Sequence, residues 1–133
     1  DDPYPGGCPF HGDCCEGLAA GPALAARFGP PTGWDDATAA AARSLAAWYL
    51  AQLVVAVCYA LAPARIVLGG GVATLVGLHD AVQEAAGRRL GGALGHHPLT
   101  RANAGFLVPP RLGARAGVVG ALTLAADALV GTS

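Results

Sequence analysis

Between Asp36 and Pro63 the chain runs almost without a polar break, and from Leu45 through Ala62 it carries no charged side chain over 18 positions. The run is too long for a strand and shows no alternation, so it predicts a helix. Asp35 or Asp36 can cap its start, where a carboxylate meets the positive end of the helix dipole. Pro63 stops it. A second helix is predicted from about Val72 to Leu90, with Leu75, Leu78, Val82 and Ala85/Ala86 along one face, ended by Gly91–Gly95. A third spans about Ala114–Val130. Glu16–Phe28 reads as a short helix interrupted near Gly21-Pro22, followed by the loop Gly29–Gly33. Two short β-rich runs remain. Arg65–Leu68 opens into Gly69-Gly70-Gly71, and Gly105–Val108 closes on Pro109-Pro110. Helices alternating with short buried strands predict α/β architecture.

The uncharged run has the minimum length of a membrane span. Gln52 in its middle, abundant alanine, and Arg43 and Arg65 at opposite ends favour instead a central helix buried on most sides. No membrane partner is expected. Net charge is −1 with no basic stripe, which removes the electrostatic footprint of a nucleic-acid binder. There is no secretory signal, and a cytoplasmic location is expected, where thiols stay reduced. At 133 residues the chain could hold one core. It has no Met and opens on Asp1-Asp2, so the expectation is a piece of a longer chain.

The candidate chemistry concentrates in Cys8-Pro-Phe-His11-Gly-Asp-Cys14-Cys15-Glu16-Gly. Cys8, His11 and Cys14 stand three residues apart, and a tight turn can point two thiolates and an imidazole at one centre. Zn²⁺ accepts that set and leaves a fourth position for water or a ligand from elsewhere. The alternatives are disulfides among Cys8, Cys14, Cys15 and Cys58, or unligated thiols. Neighbouring side chains diverge, so Cys15 reads as a small packed hydrophobe rather than a ligand. Gly69-Gly70-Gly71 lies between a strand and a helix, where amides can approach an anion or serve only as a tight turn. No Gly-Lys-Ser/Thr follows, and Thr74 stands where a dinucleotide fingerprint needs its third glycine. His79 reads as a surface residue and His96-His97 as solvated. Gly113, Gly117 and Ala121 form a small-residue stripe suited to close helix contact.

These segments together carry a resemblance. Cys-Pro-Phe-His-Gly-Asp-Cys-x-Glu-Gly-Leu-Ala-x-Gly-Pro-Ala resembles the zinc loop of bacterial fructokinases in the ROK family (repressor, open reading frame, kinase). Ala64–Val72 is similar to that family's glycine loop, and Phe106–Gly113 with Ala116–Leu122 to its C-terminal strand and helix. Three motifs in order cover nearly the whole chain.

The resemblance implies an α/β fold, the C-terminal part of an actin-like ATPase or ribonuclease H-like kinase domain. Residues 1–20 would be the zinc loop and 35–133 the α/β core, with the N-terminal nucleotide and catalytic half absent. It implies ATP-dependent phosphorylation of a hexose, D-fructose to fructose 6-phosphate first, in a full-length homodimer. The isolated chain is expected to be inactive. Zn²⁺ would be structural on Cys8, His11 and Cys14, with a histidine upstream as fourth ligand, and Mg²⁺ would accompany ATP. Glu16 matches the glutamate that hydrogen-bonds sugar hydroxyls; on its own chemistry it could equally be a helix-start carboxylate. Pro22 matches a position near the nucleotide, and Gly69, Gly70, Gly71 and Val72 border ATP. The Asp-x-Gly-Gly-Thr phosphate loop and the catalytic aspartate have no counterpart here. Cys15 replaces a larger apolar residue, and Ala114-Arg115 replaces a more usual acid. The alternatives are a sugar-responsive repressor of the same family and a standalone zinc-stabilised interaction module. Cys-x-x-His-x-x-Cys, in place of Cys-x-Cys-Gly-x-x-Gly-Cys, favours the fructokinase branch.

Overall fold

A computed structural model describes residues 2–95 and 105–131. His96 and His97 lie outside the described residues. Helix α1 is Cys15–Ala19, α2 Gly21–Phe28, α3 Asp36–Leu61, α4 Leu78–Leu90 and α5 Ala116–Val130. Strands β1 (Ile66–Val67) and β2 (Leu107–Val108) pair in parallel, Ile66 opposite Leu107 and Val67 opposite Val108. The architecture is α-rich with a small parallel sheet.

α3 and α4 build the core. Asp35 is the cap that forms, accepting from the Thr38 amide at 2.7 Å. The helix ends at Ala62, whose φ of 43° puts it in the left-handed region just before Pro63. α3 presents Ala46, Ala47, Ala51, Val54 and Cys58 to Leu78, Val82, Ala86 and Leu90 of α4. Alanines on one helix let the larger side chains of the other seat closely, and Phe106 and Leu107 of the β2 region close the cluster. Tyr49 packs separately against Leu18 and Ala19 of α1, while Trp48, Leu53, Tyr59 and Leu61 are exposed. The helix expected to be buried on most sides is therefore half-open among the described residues.

The Glu16–Phe28 segment breaks at Ala20, beside the expected Gly21-Pro22 interruption, and Pro22 sits in the first turn of α2. Four other boundaries differ from the sequence pattern. The Val72–Leu90 helix is two pieces, a 3₁₀ turn at Val72–Thr74 and then α4, because Gly77 turns the chain with φ 76°. The first strand shortens to Ile66–Val67, and the second to Leu107–Val108. The last helix begins with a 3₁₀ turn at Gly113–Arg115.

α5 is the outlier. None of its residues is buried, although Val118, Leu122, Leu124, Leu129 and Val130 are all large and apolar. A Cβ placed on Gly113 or Gly117 would meet nothing within 4 Å, so these two glycines of the small-residue stripe face open space among the described residues. By length and composition both Asp36–Leu61 and Gly113–Val130 could cross a membrane; a third of the first helix's most apolar stretch is buried in the protein and none of the second's.

Candidate functional site

The Cys/His/Cys loop is folded by its own backbone. Cys8 and Gly12 exchange both amide hydrogen bonds, at 3.2 and 3.0 Å, and the Gly7 amide donates to Gly17 O at 2.9 Å, tying the loop to α1. The turn is so tight that a Cβ on Gly6 or Gly17 would lie 2.0 or 1.9 Å from Gly12 O. Only glycine fits there.

This folding brings the ligating atoms of Cys8, His11 and Cys14 within 4.8 Å of one another. Cys8 Sγ is 3.8 Å from His11 Nδ1, close to the roughly 3.6 Å edge of a tetrahedron with zinc–sulfur and zinc–nitrogen bonds. The Cys8 thiol is lowered to about 7, first by the Phe10 and His11 amides and then by the Cys14 and His11 side chains. A thiolate is thus accessible at neutral pH, the form a metal binds. The donor set fits a borderline-soft tetrahedral cation. All four cysteines are free thiols. Cys15 joins Leu18, Ala19 and Tyr49 instead, and burial raises its thiol, with the Cys14 charge second.

Glu16 follows directly, in the first turn of α1. It lines a cleft of about 280 Å³ whose other walls include Leu50, Leu53, Gly69 and Val72. Glu16, tethered to the Cys/His/Cys loop, and the start of the glycine loop therefore line one cavity. Next to it, Gly69, Gly70 and Gly71 border a larger cavity of about 790 Å³, closed by Pro109, Pro110 and the Gly113–Gly117 turn. Gly70 has φ 97° with no atom near its Cβ direction, so the loop's backbone is open to that space. Val72 faces the Glu16 cleft. Pro22 lines a separate cleft of about 170 Å³ with Cys8, Pro9 and Glu16.

Two groups were not foreseen from the sequence. His79 is not a free surface residue: its Nε2 lies 2.9 Å from Leu68 O, and the side chain lines the glycine-loop cavity. The second group is Asp2, Tyr4, Arg27 and Tyr49. Arg27 Nη2 is 2.8 Å from Asp2 and its guanidinium stacks 4.0 Å above the Tyr4 ring, while the Tyr49 hydroxyl donates to Asp2. These bonds, Arg27 foremost, hold the Asp2 carboxyl well below the usual range. The cluster ties the N-terminal arm to α2 and α3. Its members are up to 47 residues apart, which no local pattern reveals.

The ROK family pattern matches residues 1–128. The chain belongs to the ROK family. It is 40% identical over 129 residues to a putative fructokinase of Bacillus subtilis (strain 168), covering 97% of this chain and 43% of that protein. A fructokinase of Pediococcus pentosaceus is 36% identical over 128 residues, covering 96% and 43%. One of Zymomonas mobilis is 36% identical over 127 residues, covering 94% and 40%. The chain thus spans less than half the length of these curated relatives. ROK membership implies an actin-like ATPase fold, and helices around a small parallel sheet are compatible with a piece of one.

Proposed function

We propose that the complete protein transfers the γ-phosphoryl group of ATP to D-fructose, giving fructose 6-phosphate. This chain would contribute the sugar-facing metal loop and one of the loops that hold ATP. The observation that carries the reading is the shared cleft. Glu16 stands on one wall and Gly69 and Val72 on another, so a sugar held by the carboxylate would lie beside the loop that borders the phosphates. The relatives' fructokinase names favour fructose among the hexoses and favour a kinase over a repressor.

In this reading Glu16 accepts hydrogen bonds from two sugar hydroxyls and fixes the ring. The acceptor hydroxyl's oxygen forms a bond to the γ-phosphorus as the bond from that phosphorus to the bridging oxygen breaks, and ADP leaves. The hydroxyl proton passes to an aspartate outside this chain. Mg²⁺ arrives with ATP. Bound at Cys8, His11 and Cys14, a zinc ion would cross-link the loop and hold α1, and with it Glu16, in place; a fourth ligand would come from outside the chain. Gly69, Gly70 and Gly71 would offer amides and an unobstructed surface to the nucleotide. Pro22, in the first turn of α2, would stand near the nucleotide. Reduced thiols and an ATP substrate suit a cytoplasmic enzyme.

The test is Glu16→Gln in the complete protein. The amide keeps the shape and loses the charge, and hydrogen bonds to charged groups contribute about 1.5–3 kcal/mol. The fructose KM should rise about tenfold or more with the ATP KM unchanged. Unaltered fructose kinetics would return Glu16 to a helix-start role and overturn the reading of the cleft.

A further inference from the structure

We propose that His79 is a positioning residue for the glycine loop: through its hydrogen bond to Leu68 O it fixes the direction in which the loop's amides meet the nucleotide. The inference rests on the reading of Gly69–Gly71 as an ATP loop.

Among the described residues the sheet that launches the loop is one pair of short strands. β1 and β2 have two residues each, and the Ile66 amide donates to Phe106 O at 2.8 Å and the Leu68 amide to Val108 O at 2.9 Å. An isolated pair of this length has little stiffness of its own. The loop itself is three glycines, the residues with most backbone freedom. Gly70 and Gly71 have no neighbour within 4 Å of their Cβ directions, so packing does not order them.

Among the described residues, α4 adds order from one flank. His79 and Gln83 are four residues apart and therefore on one face. His79 Nε2 lies 2.9 Å from Leu68 O, which requires the proton on Nε2 because a carbonyl only accepts. Gln83 Oε1 accepts from the Leu107 amide at 3.2 Å. The two side chains thus bind the main chains of both strands to a helix whose Leu78, Val82, Ala86 and Leu90 are buried in the core.

Leu68 is consequently held at both ends of its backbone, by β2 at the amide and by His79 at the carbonyl. That carbonyl belongs to the peptide that begins the loop. Gly69 is packed against Pro110, where a Cβ would stand 3.2 Å from Cγ. At the far end Thr74 Oγ1 donates to Gly71 O at 2.6 Å. Between the two anchors Gly70 turns freely. Loss of the His79 bond would release the first anchor, and a loop that samples more orientations presents its amides to ATP in the right one less often. The sugar side, built on α1, would not notice.

The experiment uses the complete kinase with three variants: His79→Leu, His79→Gln and Gly70→Val. Leu removes the donor and keeps apolar bulk, whereas the Gln amide restores a donor at similar reach. His79→Leu should raise the ATP KM about five- to tenfold, the effect of one neutral hydrogen bond, with the fructose KM unchanged. His79→Gln should return the ATP KM to within about twofold of wild type. An unchanged ATP KM in His79→Leu, equal damage by Leu and Gln, or a fructose KM that moves in step would each overturn the proposal. Should His79→Leu fail to fold, His79→Asn, too short to reach Leu68 O, carries the same expectation. Gly70→Val separates the two levels. If it raises the ATP KM while His79→Leu does not, only the positioning role falls; if it leaves the ATP KM alone, the ATP-loop reading falls and takes the proposal with it.

Discussion

Gly17 shows how closely single residues are specified in the Cys/His/Cys loop. Its Cβ would stand 1.9 Å from Gly12 O, a main-chain atom that can retreat only by breaking the Cys8–Gly12 pair. Gly12 differs: its φ is 62° but the nearest atom to a Cβ is 3.5 Å away. Gly12→Ala should therefore cost about 1 kcal/mol, the left-handed strain alone. Gly17→Ala should cost roughly 2 kcal/mol or more and disrupt zinc binding, since relief of the clash moves Cys8. Thermal unfolding with metal analysis of both variants checks this; equal, small effects would mean the loop tolerates a wider turn. The Cys8, His11 and Cys14 cluster was legible in the sequence because its spacing is local and one turn closes it. His79 was not, because its partner is a main-chain oxygen 11 residues away, reached only once α4 packs across the end of β1.

Among the elements, α3 was the easiest to read. Its Asp35 cap and Pro63 stop are local signals, and 26 residues leave no alternative to a helix. What the apolar run concealed was how little of it is buried, since periodicity in an alanine-rich stretch does not say which neighbours are present. The segment Val72–Leu90 failed for the opposite reason: Leu75 and Leu78 keep helical spacing across a turn that Gly77 makes. α5 gives the sharpest contrast. An isolated helix of 15 residues without burial is marginal in water. Hydrogen exchange on this chain should find α3 and α4 amides facing the core protected, and α5 amides exchanging orders of magnitude faster. Equal protection would show α5 to be covered.

At the scale of the whole molecule, ROK membership was legible, because three motifs recur in order along one chain; helices around a small parallel sheet are compatible with the α/β expectation. The shared cleft was not. It needs α1 and the glycine loop, about 50 residues apart in sequence, brought to one cleft that Leu50 and Leu53 of α3 also line. The account depends on the metal loop setting the place of Glu16 in that cleft. The measurement that reaches this most directly is the fructose KM of the complete protein before and after zinc removal, with metal content and ATP KM determined on the same samples. About one zinc per chain should be found, and its loss should raise the fructose KM about tenfold or more while the ATP KM stays within about twofold. Absence of zinc from the active enzyme, or a fructose KM indifferent to its removal, would contradict the account.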